Sequence, residues 1–134
     1  MLTFVDANVF IRLFVDDDTK QVEQAAALFE RAKNNKIDLV TGPPVFFEIA
    51  WVLRYRYKIT REKILDVLEA ILSFPNLKVL DKNTVITALF LAKETGSEFA
   101  DSYIAATVQD IKADNVGTFN QKHFIKLGAA LYPL

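Results

Sequence analysis

An α/β fold around a central parallel sheet follows from three features of the sequence. Short apolar runs rich in β-branched residues recur along the chain, helical periodicities lie between them, and the connections are short. A strand that returns after a helix pairs in parallel with its predecessor, and such a sheet is covered on both faces. Four to five strands are expected. The length of 134 residues suits a single domain over residues 1–134.

The elements follow in order. Leu2 to Val5 reads as a buried strand and Asn8 to Val15 as a short helix. Asp18 with Gln21 forms a capping box for a helix whose inner face is Val22, Ala25, Ala26, Leu28, Phe29 and Ala32, ending near Asn34-Asn35. Ile37 to Thr41 is the second strand. Gly42-Pro43-Pro44 breaks it and opens a helix over Val45 to Arg56, since proline suits a first helical turn. Thr60 caps the next helix, with Ile64, Leu65, Val67, Leu68, Ile71 and Leu72 inward, and Pro75-Asn76 ends it. Leu77 to Leu80 is the third strand. Asp81 caps a helix to about Glu94, closed by Gly96, and Ala100 to Ala113 is another. Val116 to Phe119 is the fourth strand, Gln121 to Leu127 a short helix, and Ala130 to Pro133 an edge strand.

Composition narrows the function. Lys and Arg number 16 against 17 Asp and Glu, so nucleic acid could be attracted only by a local patch or a bound metal. The absence of cysteine excludes disulfides, thiolate metal sites and cysteine nucleophiles. The N-terminal stretch meets an acid at Asp6, unlike a signal peptide, and no apolar run approaches a membrane span. A cytoplasmic, soluble protein is expected.

In parallel sheets, ligands bind beyond the carboxyl ends of the strands. Asp6 stands immediately after the first strand; as a structural residue it would cap the following helix. Glu48 lies in a helix apolar almost all round, where an ionised carboxylate is costly unless it is coordinated or paired, for instance with Arg12. Asp101 lies among apolar residues near a helix start, where it also suits the helix dipole. Carboxylates about 4 Å apart repel by roughly 4 kcal/mol per pair at an effective dielectric of about 20. A bound Mg²⁺ or Mn²⁺ would relieve that repulsion, since hard cations prefer oxygen ligands.

The segments Phe4-Val5-Asp6-Ala7-Asn8-Val9, Phe47-Glu48-Ile49-Ala50-Trp51, Ala100-Asp101-Ser102-Tyr103 and Thr118-Phe119-Asn120-Gln121 resemble the PIN domain, and more narrowly the VapC toxins of toxin–antitoxin pairs. The resemblance covers almost the whole chain. It implies an α/β/α sandwich and metal-dependent RNA cleavage by an activated water, leaving a 5′-phosphate and a 3′-hydroxyl. It implies that Asp6 and Asp101 are metal ligands, that Glu48 completes the acidic pocket, and that Asn8 and Thr118 support it. It also implies a homodimer and a small antitoxin partner. One departure stands out: Asn120 occupies a position where the family usually has an acid. Its amide oxygen can still face a metal, without charge. Glu98, three residues before Asp101, shares its face if both are helical, though a solvated surface acid is the plainer reading.

Arg54-Tyr55-Arg56-Tyr57-Lys58 interleaves cations with aromatics, which grips phosphates and stacks unpaired bases, or simply ends a helix. Arg54, Arg56 and Lys122 are candidate RNA contacts; Lys126 is a weaker one. The helix with Phe46, Phe47, Trp51 and Leu53 has more apolar surface than one sheet face covers, as at a protein interface. Asp16-Asp17-Asp18 reads as a solvated turn ending in a cap, and His123, the only histidine, as a surface or packing residue. A dinucleotide fold would need glycines after the first strand, where Asp6-Ala7-Asn8-Val9 stands. The main alternative to a nuclease is a PIN-like scaffold or RNA-binding module that has lost catalysis through Asn120.

Overall fold

A computed structural model describes residues 1–134. The chain is mixed α/β, with a parallel sheet and seven helices, as expected. It divides into two compact units, Met1–Lys82 and Asn83–Leu134.

The first unit contains β1 (Leu2–Phe4), α1 (Ala7–Ile11), α2 (Thr19–Lys33), β2 (Asp38–Thr41), α3 (Pro43–Tyr55), α4 (Arg61–Leu72) and β3 (Leu77–Val79). The sheet order is β1-β2-β3, all parallel, with Phe4 opposite Val40 and Val40 opposite Lys78. Each crossover is a pair of helices, as parallel pairing requires. Side chains alternate across the strands. Val5, Leu39, Thr41 and Val79 are buried, whereas Leu2 and Phe4 are 66% and 56% exposed. Thr41 is fully buried because its hydroxyl has a partner, donating to the Val5 carbonyl at 3.1 Å.

The capping signals act as their chemistry dictates. Asp18 accepts the Gln21 N–H at 3.0 Å, and Thr60 accepts that of Lys63 at 3.4 Å. Pro43 stands in the first turn of α3 behind Gly42, where a side chain's Cβ would meet that of Leu80 at 3.3 Å. Asn35 and Asn76 both take positive φ, and the Asn76 amide donates to the Asn35 side chain at 2.9 Å and to the Ala32 carbonyl at 3.1 Å. That bond ties the end of α2 to the entry of β3. Between the helices, Phe10, Phe29 and Phe74 pack as tilted and edge-on rings with centroids 5.2–6.1 Å apart, and Phe10 is fully buried.

The second unit holds α5 (Lys82–Thr95, entered at the junction), α6 (Phe99–Ile111) and α7 (Gln121–Lys126). Ala105, Val116, Phe124 and Leu127 form a small core, with Val108 and Leu131 against it. Gly96 closes α5 at φ +71°, and Lys112 closes α6 in the left-handed region.

Two expectations are corrected. The sheet has three strands, not four to five. Segments 116–119 and 130–133 form only a single parallel bridge, Val116 to Leu131. Beyond Val116 comes Gly117, and then the Thr118 hydroxyl accepts the Asn120 N–H at 2.9 Å, which turns the chain before a ladder can extend. Asp81 does not sit as a cap residue either. Its φ is +52°, outside the extended conformation that a capping residue adopts.

Candidate active site

In the first unit, β1 delivers Asp6. Val5 still donates to Val40 across the sheet at 2.8 Å, and Asp6 then turns out as the cap of α1 with extended φ and ψ. Its Oδ1 accepts the Ala7 N–H at 2.7 Å, so the carboxylate is oriented while remaining exposed. Asn8 follows in the first turn, also exposed. The structural and the chemical reading of Asp6 are thus compatible: capping occupies one oxygen.

Glu48 departs from the expectation of an apolar setting. The helical period of α3 buries Val45, Phe46, Ile49 and Leu53 and leaves Pro44, Glu48, Trp51 and Tyr55 along an exposed stripe. The Glu48 carboxylate is therefore solvated and forms no ion pair. The apolar surplus of α3 is smaller than its composition suggested, since Phe46 and Leu53 are buried. It reduces to Trp51 and Tyr55, 62% and 60% exposed, with ring centroids 5.5 Å apart.

The pairing of Arg12 with Glu48 is also corrected. The Arg12 guanidinium bonds Asp17 and donates from Nε to Gln21 at 2.6 Å. The Tyr57 hydroxyl donates to the other Asp17 oxygen at 2.7 Å. That bond, then the Arg12 charge, holds the Asp17 carboxyl below its ordinary pKa, and the Tyr57 bond leads in raising Arg12. The acidic turn 16–18 thus contains an anchored residue, Asp17, beside the cap Asp18. Of the candidate RNA contacts, Arg56 is exposed with its guanidinium 5.7 Å from the Tyr57 ring, and Arg54 is half-buried.

In the second unit, Asp101 lies in the first turn of α6, with 24% of its side chain exposed. His123 of α7 places Nδ1 3.2 Å from Asp101 Oδ2 and 2.8 Å from the Asn120 side-chain amide. One ring nitrogen serves both neighbours. Protonated, it donates to Asp101; unprotonated, it accepts from Asn120. The structure therefore gathers Asp101, Asn120 and His123, and Thr118 fixes the Asn120 backbone. His123 is the functional candidate that sequence reading assigned to surface or packing; its partner is 22 residues away and only the docking of α7 on α6 reveals it. Lys122, beside it, is exposed, and Glu98 stands in extended conformation at the N-cap position of α6, without a side-chain cap bond, rather than inside the helix with Asp101.

Within neither unit do three carboxylate or imidazole side chains gather into a group that could hold a metal ion. The donor chemistry nevertheless suits a hard divalent cation. Asp6, Glu48 and Asp101 offer carboxylate oxygens, and none is neutralised by a Lys or Arg. No helix is long and apolar enough to cross a membrane. No curated protein matches the sequence significantly. The PIN domain family model matches residues 3–129, spanning both compact units. PIN domains are generally metal-dependent nucleases, and this chain belongs to the PIN domain family.

Proposed function

We propose that this protein is a metal-dependent endoribonuclease of the VapC toxin type, working as one domain over residues 1–134 with Mg²⁺ or Mn²⁺ as cofactor. The observation that carries the reading is the set of acids Asp6, Glu48 and Asp101, none paired with a Lys or Arg and only Asp101 in contact with an imidazole, in a chain that matches the PIN family model over residues 3–129. These three residues would hold the metal, with Asn120 as a neutral oxygen donor. A bound divalent ion lowers the pKa of a water and stabilises charge on a phosphate. The protein's own share is orientation: the α1 cap fixes Asp6, His123 fixes Asp101, and the Thr118 turn presents Asn120. Asn8 supports the same end of α1, and Arg54, Arg56 and Lys122 would steer the RNA.

The test is cleavage of structured and single-stranded RNAs by purified protein with Mg²⁺ or Mn²⁺. Activity should vanish with EDTA and return with metal. Cleavage indifferent to EDTA would reject the reading.

Asn120 motivates the second reading, a scaffold or RNA-binding module. Asn120→Asp separates the two. Adding a carboxylate beside Asp101 should tighten Mn²⁺ binding roughly tenfold by calorimetry, since the added charge favours a cation. Unchanged affinity would show that position 120 does not face a metal. A homodimer and a small antitoxin partner complete the proposal. The exposed Trp51–Tyr55 pair on α3 supports an interface, because aromatic residues are enriched at interface cores. A cytoplasmic setting fits an RNA substrate.

A further inference from the structure

Between α1 and α2 lies a groove of about 290 Å³ that the nuclease reading leaves unused. Four polar side chains line it: Asn8, Arg12, Gln21 and Gln24. Val9 and Leu28 supply apolar wall. The polar groups are unequally committed. Arg12 is fixed by Asp17 through Nη1 and by Gln21 through Nε, which leaves the Nη2 donors unused. The Asn8 and Gln24 amides have no hydrogen-bond partner. An anchored guanidinium with unused donors, two open amides and apolar sides is a surface that recognises a flat group with a polar edge.

Size and position narrow the occupant. Pockets for drug-sized ligands run from roughly 300 to 1,000 Å³, so this one suits a single ring system. An amphipathic partner helix would need a row of large apolar anchors, and the apolar part of this lining is only Val9, Ala25 and Leu28. Asn8 stands two residues after Asp6, and Arg12 lies one helical turn beyond Asn8 on the same face of the chain. The groove therefore begins beside the candidate catalytic end of α1.

Resting on the nuclease reading, we propose that the α1–α2 groove receives one unpaired base of the RNA next to the scissile phosphate, with guanine preferred. Sequence-specific RNA recognition works on splayed single-stranded bases. Guanine presents two acceptors, O6 and N7, on one edge, and arginine is their commonest partner. Here Arg12, the one charged group in the lining, supplies donors and no acceptor and so favours O6 and N7, whereas the amides of Asn8 and Gln24 both donate and accept and add contacts to either purine. Val9 and Leu28 would contact the ring faces.

The experiment measures binding apart from cleavage. Fluorescein-labelled uridine hexamers carrying one central A, C, G or U are titrated with the full chain in EDTA and read by anisotropy. Wild type should bind the G hexamer roughly tenfold tighter than the others, the discrimination of one good base contact. Gln24→Ala should reduce the preference to threefold or less. Gln24→Glu should abolish it by setting an acid against O6 and N7. Gln24 is exposed on α2 and alanine is the best helix former, so the fold persists, which circular dichroism checks. Equal binding of all four hexamers by wild type overturns the proposal. So does a guanine preference that survives both variants, including the case where they weaken capture of a protein partner instead. A chain with the expected preference that cleaves nothing with Mg²⁺ or Mn²⁺ supports the base groove and rejects the nuclease reading.

Discussion

Asp101→Asn is expected to lower metal-dependent RNA cleavage by about a thousandfold or more, with Asp6→Asn close behind. The magnitude is that of losing a metal's stabilisation of transition-state charge, several kcal/mol at about 1.4 kcal/mol per factor of ten. Asparagine is the informative replacement at both positions. At Asp6 it still caps α1, because Asn and Asp are nearly equal as N-caps. At Asp101 it still offers an oxygen to His123 Nδ1, now at 3.2 Å from the carboxylate. Each substitution therefore removes charge and leaves local architecture in place. Initial rates at saturating Mn²⁺ and Mg²⁺, beside unchanged thermal melting, make the measurement. Full activity in either variant would remove that residue from the metal-holding set. A lost activity with a lowered melting temperature would instead assign the residue a structural role.

Glu48→Gln belongs in the same series for a different reason. Its carboxylate lies on the exposed stripe of α3 and has no partner whose loss could perturb the fold. Any loss of activity there reads directly on chemistry.

The legible parts of the fold were those with local causes. Asp18, Thr60 and Gly96 mark helix ends because capping acts over three or four residues. β1, β2 and β3 were recognisable because each is a short apolar run bounded by turns. Segments 116–119 and 130–133 carried the same signal, but a ladder depends on a partner elsewhere in the chain, and the pair forms one bridge. Glu48 shows a similar limit. Its helix is so apolar that composition hides the phase, and burial alone puts Glu48 with Trp51 and Tyr55 on the outer stripe. The identities of the acidic residues were readable from motif context, whereas their contacts were not. His123 meets Asp101 across 22 residues, and Tyr57 meets Asp17 across 40.

Phe10→Ala should destabilise the protein by about 3–5 kcal/mol, the range for emptying an aromatic site in a packed core. Phe10 is fully buried on α1, a helix of five residues too short to persist without its packing. Its ring lies 5.4 Å from Phe29 and 6.1 Å from Phe74, so one truncation removes two aromatic contacts and leaves a cavity. The loss should extend past stability. α1 also carries the Asp6 cap, Asn8 and Arg12, so loosening it should blur the orientation of Asp6 and weaken the Arg12–Asp17–Gln21 contacts. Phe119→Ala is the matched control. Phe119 is 92% exposed, and the same chemical change there should cost less than about 0.5 kcal/mol. Urea unfolding followed by far-UV circular dichroism measures both, and Trp51, the only tryptophan, reports on the first unit by fluorescence. Equal midpoints for the two variants would mean that the Phe10–Phe29–Phe74 cluster does not hold α1 in place.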